Sequence, residues 1–441
     1  MAVVHTDAHS HAVLNVRLFD MVAALSTTLD LLDPRLGSHQ KRTCLIAAQI
    51  GLAMQLSMDD YRSLFIASIF HDIGALALHD RLRLLAFEEI EPHRHAQMGA
   101  HLLGQFEAFR PYASLVAYHH VPWEDGAGQR FEQRPVPMLS HLIHLADRIE
   151  VLAQGRDNIL ADMEEIRLCI AEKAGAVFHP DHVAAFLAVS RAERFWLDLF
   201  SVNLDQILKA LAPFEDIELD LPKLMLFARF FALIIDSRSH FTATHSAGVA
   251  ICAETIARHM GMSAAEAAKM RIAGYLHDTG KLAIPNEYIN RGGPLAREEM
   301  ARMRSHSYIT HDILSKINGL SDIAEWASHH HERLDGSGYP FHKSADKLSL
   351  GARIMAVADI YTALIEDRPY RQGLPEIQVF AHLEDLVAAK QLEPAVVATL
   401  KRHHDDIGRL CREVQQREGE ELSAFWRLAD DMTEGRGQGN A

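Results

Sequence analysis

The stretch YLHDTGKL, Tyr275 to Leu282, ends an apolar helical run with an adjacent histidine and aspartate, then a glycine and a lysine. Upstream, AAKMRIAGYLHD has apolar residues at helical spacing, Ser263 and Glu266 give a capping-box signature at its start, and Gly261 stops the helix before it. That earlier helix buries one face through Val249, Ile251, Ile256 and Met260. The first half of the chain follows the same pattern. Leu45, Ile46, Ile50, Leu52 and Met54 predict one buried helical face, and Ser57 opens DYRSLFIASIF, which runs on to His71-Asp72. Strand alternation bounded by tight Asn-Gly or Asp-Gly turns is scarce. The chain therefore reads as all-α, with helix ends that deliver His-Asp pairs.

The two halves form an internal repeat. His39 to His71 and His245 to His277 are both separated by 32 residues. His71-Asp72 parallels His277-Asp278, His95 parallels His306, His119-His120 parallels His330-His331, and Asp147 parallels Asp359. The successive intervals are 24, 24 and 27 residues in the first copy and 29, 24 and 28 in the second. Two tandem helical domains follow, and 441 residues suffice for two cores. The expected division is an N-terminal extension at 1–18, a first domain at 19–198, a linker at 199–222, a second domain at 223–412 and a polar tail at 413–441. The linker holds the acidic, proline-containing APFEDIELDLPK, and the tail ends in the glycine-rich TEGRGQGNA.

Lys plus Arg total 44 against 59 Asp plus Glu, a net charge of -15, which argues against a groove for a nucleic-acid polymer. The four cysteines, Cys44, Cys169, Cys252 and Cys411, lie far apart without CxxC spacing, so they read as reduced core residues. No signal-peptide pattern opens the chain, and the longest apolar stretch, near Leu224 to Ile235, is interrupted by Arg229. A cytoplasmic protein without a membrane partner is expected. Its 28 histidines are the compositional anomaly, because imidazole is the commonest metal ligand.

The second copy gathers five histidines and two aspartates: His245, His277, Asp278, His306, His330, His331 and Asp359. Imidazole and carboxylate without thiolate favour iron, manganese, nickel or zinc over calcium. Seven ligands exceed what one catalytic ion needs and suit two ions bridged by a carboxylate, for which Asp278 is the candidate. Phosphoester hydrolysis is the natural reaction of such a pair. Lys281 can place an ammonium beside a phosphate oxygen, and glycines 336 and 338 curve a loop that brings Tyr339 close enough to stack on a base. Arg368 and Arg371, in DRPYR, have donor forks that match phosphate. His141, His144, His329, His403 and His404 read as structural.

HDTGK followed by HHERLDGSGYP, His330 to Pro340, resembles the HD-GYP family, a branch of the HD metal-dependent phosphohydrolases. The likeness covers roughly 223–412. It implies a bacterial second-messenger phosphodiesterase with a binuclear metal centre that hydrolyses cyclic di-GMP to linear pGpG or GMP. The alternatives are an enzyme for 3′,3′-cyclic GMP-AMP and a catalytically silent cyclic dinucleotide sensor. Iron or manganese comes first as cofactor, then nickel or zinc, and a signalling protein or a second copy is a candidate partner. The resemblance places the metal ligands on the seven residues named above, catalysis on Asp278 and Lys281, and substrate contacts on Lys281, Tyr339, Arg368 and Arg371. Trinuclear relatives carry a glutamate four residues before the first histidine; here that position is Phe241. The first copy is similar to the broader HD group and keeps a second ligand set: His39, His71, Asp72, His95, His119, His120 and Asp147. Its HDIGAL puts Ala75 where the lysine belongs, and HHVPWEDGAGQR lacks Tyr-Pro; only Arg156 matches the arginine at 368. This degenerate domain is expected to hold metal without the cationic clamp.

Overall fold

The computed structural model describes residues 15–30, 37–75, 93–214, 217–238, 244–291, 293–366 and 372–434. In the first half the helices are α1 (Leu18–Asp30), α2 (His39–Ala53), α3 (Met58–Ile69), α4 (His93–Gly104), α5 (Arg110–Ala117), α6 (Met138–Ala153), α7 (Ile159–Glu172), α8 (Pro180–Val189), α9 (Glu193–Leu199) and α10 (Leu204–Leu211). The second half has α11 (Leu221–Asp236), α12 (His245–His259), α13 (Ala264–Leu276), α14 (Asn286–Ile289), α15 (Arg297–Leu314), α16 (Ser321–Ser328), α17 (Leu350–Ile365), α18 (Glu376–Ala388), α19 (Pro394–Arg402) and α20 (His404–Glu434). The strands are two-residue pairs: β1 (Val16–Arg17) runs antiparallel to β4 (Glu218–Leu219), and β2 (Arg130–Phe131) to β3 (Arg134–Pro135). The protein is all-α, as its periodicity predicts, and no described helix is long and apolar enough to cross a membrane.

Local signals act where the sequence puts them. Ser57 caps α3 by accepting from the Asp60 amide, and Ser263 and Glu266 close a reciprocal capping box on α13. Gly261 takes a left-handed φ of 82° to end the preceding helix. Leu45, Ile46 and Ile50 are fully buried, but Leu52 is 51% exposed. The apolar face of α2 therefore ends one turn earlier than expected, because the helix itself stops at Ala53. Cys44, Cys252 and Cys411 are buried and all four thiols are free.

The region expected as a linker, 199–222, is structured: it contains α10, and β4 ties it back to β1. The expected polar tail also differs. Residues 413–434 continue α20, a 31-residue helix in which Leu422 and Glu418 are buried. Its charged sequence hides a packed stripe, since Arg229 on α11 reaches over to Glu418 at 2.9 Å and Glu421 at 2.5 Å. The rest of TEGRGQGNA, from 435, lies outside the described residues, as does Phe241.

One hydrophobic cluster runs through both halves. Its seam is α11, whose Phe230 meets the rings of Phe70, Phe106 and Phe109 at 6.3, 4.7 and 4.8 Å, while Phe227 meets Phe109 at 5.0 Å. Three of these contacts are edge-on and the Phe109–Phe230 pair is tilted at 35°, and such aromatic pairs stabilise beyond the area they bury. Phe70 immediately precedes His71, so α11 packs directly behind the first His-Asp pair. Its C-terminal end supports the second. Asp236 accepts from Ser246, next to His245, at 2.9 Å. Arg238 donates to the carbonyls of Lys281 at 2.7 Å and Ile284 at 2.9 Å.

Candidate metal centres

Each half uses the same five helices to build its site. His39 and His245 are the first residues of α2 and α12. The pairs His71-Asp72 and His277-Asp278 lie just beyond the ends of α3 and α13, while His95 and His306 project from α4 and α15. His119-His120 and His330-His331 follow the ends of α5 and α16, and Asp147 and Asp359 come from α6 and α17. A helix end lets neighbouring residues diverge, so two adjacent side chains can serve one cluster.

In the first half Asp72 faces two groups with its two oxygens. Oδ2 stands 3.3 Å from Nε2 of both His39 and His71, and Oδ1 stands 3.2 Å from His95 and 3.6 Å from His119. Asp147 joins the first group, 3.3 Å from His39, and His120 joins the second, 2.8 Å from His95. The second half repeats the division. Asp278 Oδ2 is 3.2 Å from His277 and Oδ1 is 3.5 Å from His306. Asp359 lies 3.1 Å from His245, and His306 lies 3.2 Å from His330. His331 is half-buried, its Nδ1 3.8 Å from Asp359.

These clusters fit metal ions. Ligand atoms about 2.0–2.2 Å from one ion stand roughly 3–3.5 Å from each other, which is the spacing found here. Nε2 of His39, His71, His119 and His277, and Oδ1 of Asp72, Asp147 and Asp278, are buried without a hydrogen bond. Buried polar atoms are seldom left so. The opposite ring nitrogens are satisfied in a matching way: Nδ1 of His71, His119, His277, His306 and His330 each meets the carbonyl three residues earlier at 2.6–2.7 Å. With Nδ1 donating, each ring turns its Nε2 lone pair toward the cluster. His39 bonds the Glu150 side chain instead, and His245 Nδ1 faces the Glu366 carboxylate at 3.3 Å without a hydrogen bond.

Electrostatics hold the carboxylates ionised. Burial raises the Asp278 pKa, but the charges of His277 and Lys281 outweigh it and keep the group well below the usual carboxylate range. Asp72, Asp147 and Asp359 are held down in the same direction by neighbouring imidazoles or, first for Asp147, by Arg148. Burial lowers His306 and His119 to about 4, leaving them neutral. His245 is pushed up to about 10 because Asp359 and Glu366 overcome its burial.

Other expected site residues fall as follows. Lys281 reaches Asp278 Oδ2 at 2.6 Å and is raised above the ordinary lysine range, since that carboxylate outweighs burial. Tyr339 sits on the ring of His331, centroids 4.7 Å apart. Arg368 and Arg371 lie outside the described residues. Arg156 is engaged with Glu165 at 3.0 Å and Asp162 at 3.7 Å, a local surface role. The first site does not lack a cation: Ala75 is buried, but Arg148, 2% exposed, donates to Asp147 at 2.7 Å. Sequence reasoning missed it because the matching position in the other copy is Ile360. It also missed Glu150, Glu366, Asp236 and Arg238, whose roles depend on contacts between distant segments. Their signal was slight: acids three and seven residues beyond the ligating aspartates.

Comparison with known proteins agrees with this double construction. Family profiles described as HD domain match residues 36–152 and 229–396. The 3′3′-cGAMP-specific phosphodiesterase 1 of Vibrio cholerae is 29% identical over 400 residues, covering 88% of this chain and 92% of that protein. Phosphodiesterase 3 of the same organism is 28% identical over 433 residues, 87% of this chain and 94% of the relative. A cyclic di-GMP phosphodiesterase of Thermotoga maritima is 34% identical but over 177 residues, 40% of this chain and 48% of its own. The crystal structure of a cyclic GMP-AMP specific phosphodiesterase from V. cholerae superposes with a TM-score of 0.63 at 24% identity, covering 88% of this chain and 98% of that one, and so shares the fold. The chain carries two HD domains in tandem, at residues 36–152 and 229–396.

Proposed function

We propose that this chain is a metal-dependent phosphodiesterase that opens cyclic dinucleotides in its C-terminal domain, with 3′,3′-cyclic GMP-AMP as the preferred substrate. The observation that carries the preference is coverage. Two relatives with that specificity in their names align across both halves and a third over 39% of the chain, whereas the cyclic di-GMP phosphodiesterase of T. maritima aligns with 40%. This replaces cyclic di-GMP, the first expectation from the motif, with its alternative. His245, His277, Asp278, His306, His330, His331 and Asp359 would hold the metals, and a bound pair of divalent ions supplies Lewis acidity and an acidified water for in-line displacement at phosphorus. The chain's own residues do the rest. Backbone carbonyls fix the tautomers of three of these rings through Nδ1. Lys281, 21% exposed and held against Asp278, offers an ammonium to a non-bridging phosphate oxygen. The Tyr339 ring beside His331 offers a face to a base.

Assaying purified, metal-loaded protein with each cyclic dinucleotide at equal concentration tests the preference. The expected kcat/KM favours 3′,3′-cyclic GMP-AMP by at least about tenfold, the value of one well-made polar contact. Equal or reversed rates return the assignment to cyclic di-GMP. Measurable binding with no hydrolysis under Mn, Fe, Ni or Mg would establish a silent sensor. Lys281→Ala is expected to lower kcat about tenfold to a hundredfold with metal content unchanged, as checked by steady-state kinetics beside elemental analysis. The reduction is smaller than for Asp278 because the metals share the transition-state charge.

A further inference from the structure

We infer that Arg304 is a substrate-binding residue of the C-terminal site, one that holds an anionic group of the substrate other than the phosphodiester under attack. The inference rests on the cyclic dinucleotide reading above. Arg304 lies on α15 two residues before His306, and Tyr308 and His311 follow it at helical spacing on one face. That face runs along the Gly-Tyr-Pro loop. The Arg304 guanidinium sits 5.1 Å from the Tyr339 ring centroid, Tyr308 is 6.3 Å from Phe341, and His311 is 5.0 Å from Phe341. Tyr339 in turn lies at 34° on His331. The guanidinium is thus two ring layers from the metal cluster.

The loop beneath it is held firmly. Glu332, 2% exposed, accepts from the Phe341 amide at 2.7 Å and the Lys343 amide at 2.9 Å. Arg304 is exposed, as is Tyr308 at 54%, and among the described residues no carboxylate pairs with Arg304. By contrast Arg229 and Arg353 are both taken up by glutamates. A guanidinium stacked on a ring keeps its plane while its N–H edges remain free for a planar or tetrahedral anion. A cyclic dinucleotide has two phosphodiesters, and only one can meet the metals. Lys281, held beside the ligands by Asp278, serves the phosphodiester under attack, so the second needs a different cation. The first domain has a different ring contact at the matching helix position, without the permanent charge. Two residues before His95 stands His93, whose ring lies 4.7 Å from Phe131.

A bland role as loop anchor predicts different data, because a loosened loop would impair every substrate and the metal site as well. The test uses full-length, Mn-loaded native protein, Arg304→Ala and Arg304→Lys. The substrates are a cyclic dinucleotide and bis(4-nitrophenyl) phosphate, which has one phosphodiester and no second anion. Arg304→Ala should raise KM for the cyclic dinucleotide at least about tenfold with little change in kcat, and flatten the salt dependence of KM. Arg304→Lys should fall between, and aryl diester turnover and metal content should match the native protein. An unchanged KM, or equal losses on both substrates, overturns the inference. If the native chain cleaves the aryl diester but neither cyclic dinucleotide, the functional reading fails on its own. Calorimetric binding of the dinucleotide then decides separately, with a Kd at least about tenfold weaker in Arg304→Ala expected and an equal Kd overturning it.

Discussion

Asp278→Ala will leave the protein with cyclic dinucleotide turnover lowered by at least about 10³-fold, while Asp72→Ala will keep most of it. Removing one electrostatic donor at an active site typically costs about 10²–10³ in kcat, and Asp278 is more than one donor. Its Oδ2 meets His277 and Lys281 and its Oδ1 meets His306, so the side chain joins the two halves of the ligand set and orients the ammonium. Loss of it separates the halves and leaves Lys281 without its 2.6 Å partner. Asp72 occupies the same place in the first domain, where the lysine position is Ala75 and the nearby cation is bound to Asp147. Steady-state kinetics of both variants, with metal content and folding checked by elemental analysis and circular dichroism, settle the matter. Activity retained in Asp278→Ala, or lost in a folded Asp72→Ala, would move catalysis to the first domain.

Gly280→Ala is the second large effect. A Cβ at this position would lie 2.0 Å from the His306 carbonyl oxygen and 2.8 Å from its carbon. Backbone cannot give way as a side chain can, so the HD turn and α15 must part by about an ångström or more. The same turn is fastened to that helix by the Gly280 amide on Thr310 at 2.9 Å, with Thr310 donating on to the His277 carbonyl at 3.1 Å. Overpacking of this kind costs about 1–3 kcal/mol of stability. A misplacement of about 1 Å in a catalytic constellation costs about 10²-fold in rate. Thermal denaturation and kinetics together should show both losses, along with weakened metal retention. Native kinetics in Gly280→Ala would mean that the turn and the helix do not define the site. Gly74 is the internal control: a Cβ there would meet the His95 carbonyl oxygen at 2.1 Å. The repeat has kept the close approach itself, in addition to the ligands.

Much of this was legible because metal ligands are registered by local helix geometry. Equal spacing of His39 and His71 with His245 and His277 required equal helical hairpins, and Ser57, Gly261 and Ser263 marked where they begin and end. The supporting residues were less legible. Glu150 reaches His39 across 111 residues, and Glu366 reaches His245 from a different offset along its helix. No periodicity encodes such a pairing. Arg148 was not legible because the first domain places its cation beside Asp147, while the second places Lys281 beside Asp278. The helix beyond residue 412 was hidden by its charge: Glu418 reads as solvent-facing until Arg229 is seen beside it. Arg304 was overlooked because its partner, Tyr339, is brought to it only by the folded loop.

The phenylalanine seam has a consequence for how the two domains could have diverged. Phe230 belongs to the second half by sequence but completes the wall behind His71, while Arg238, two turns along, holds the turn that carries Lys281. A change in this segment therefore reaches both sites at once. The first domain has Ala75 where the second has Lys281. Losing the frame of the first domain would strip a face from the helix on which the second half is mounted. If catalysis lies in the second copy, as proposed, selection on that copy alone is enough to preserve the scaffold of the first.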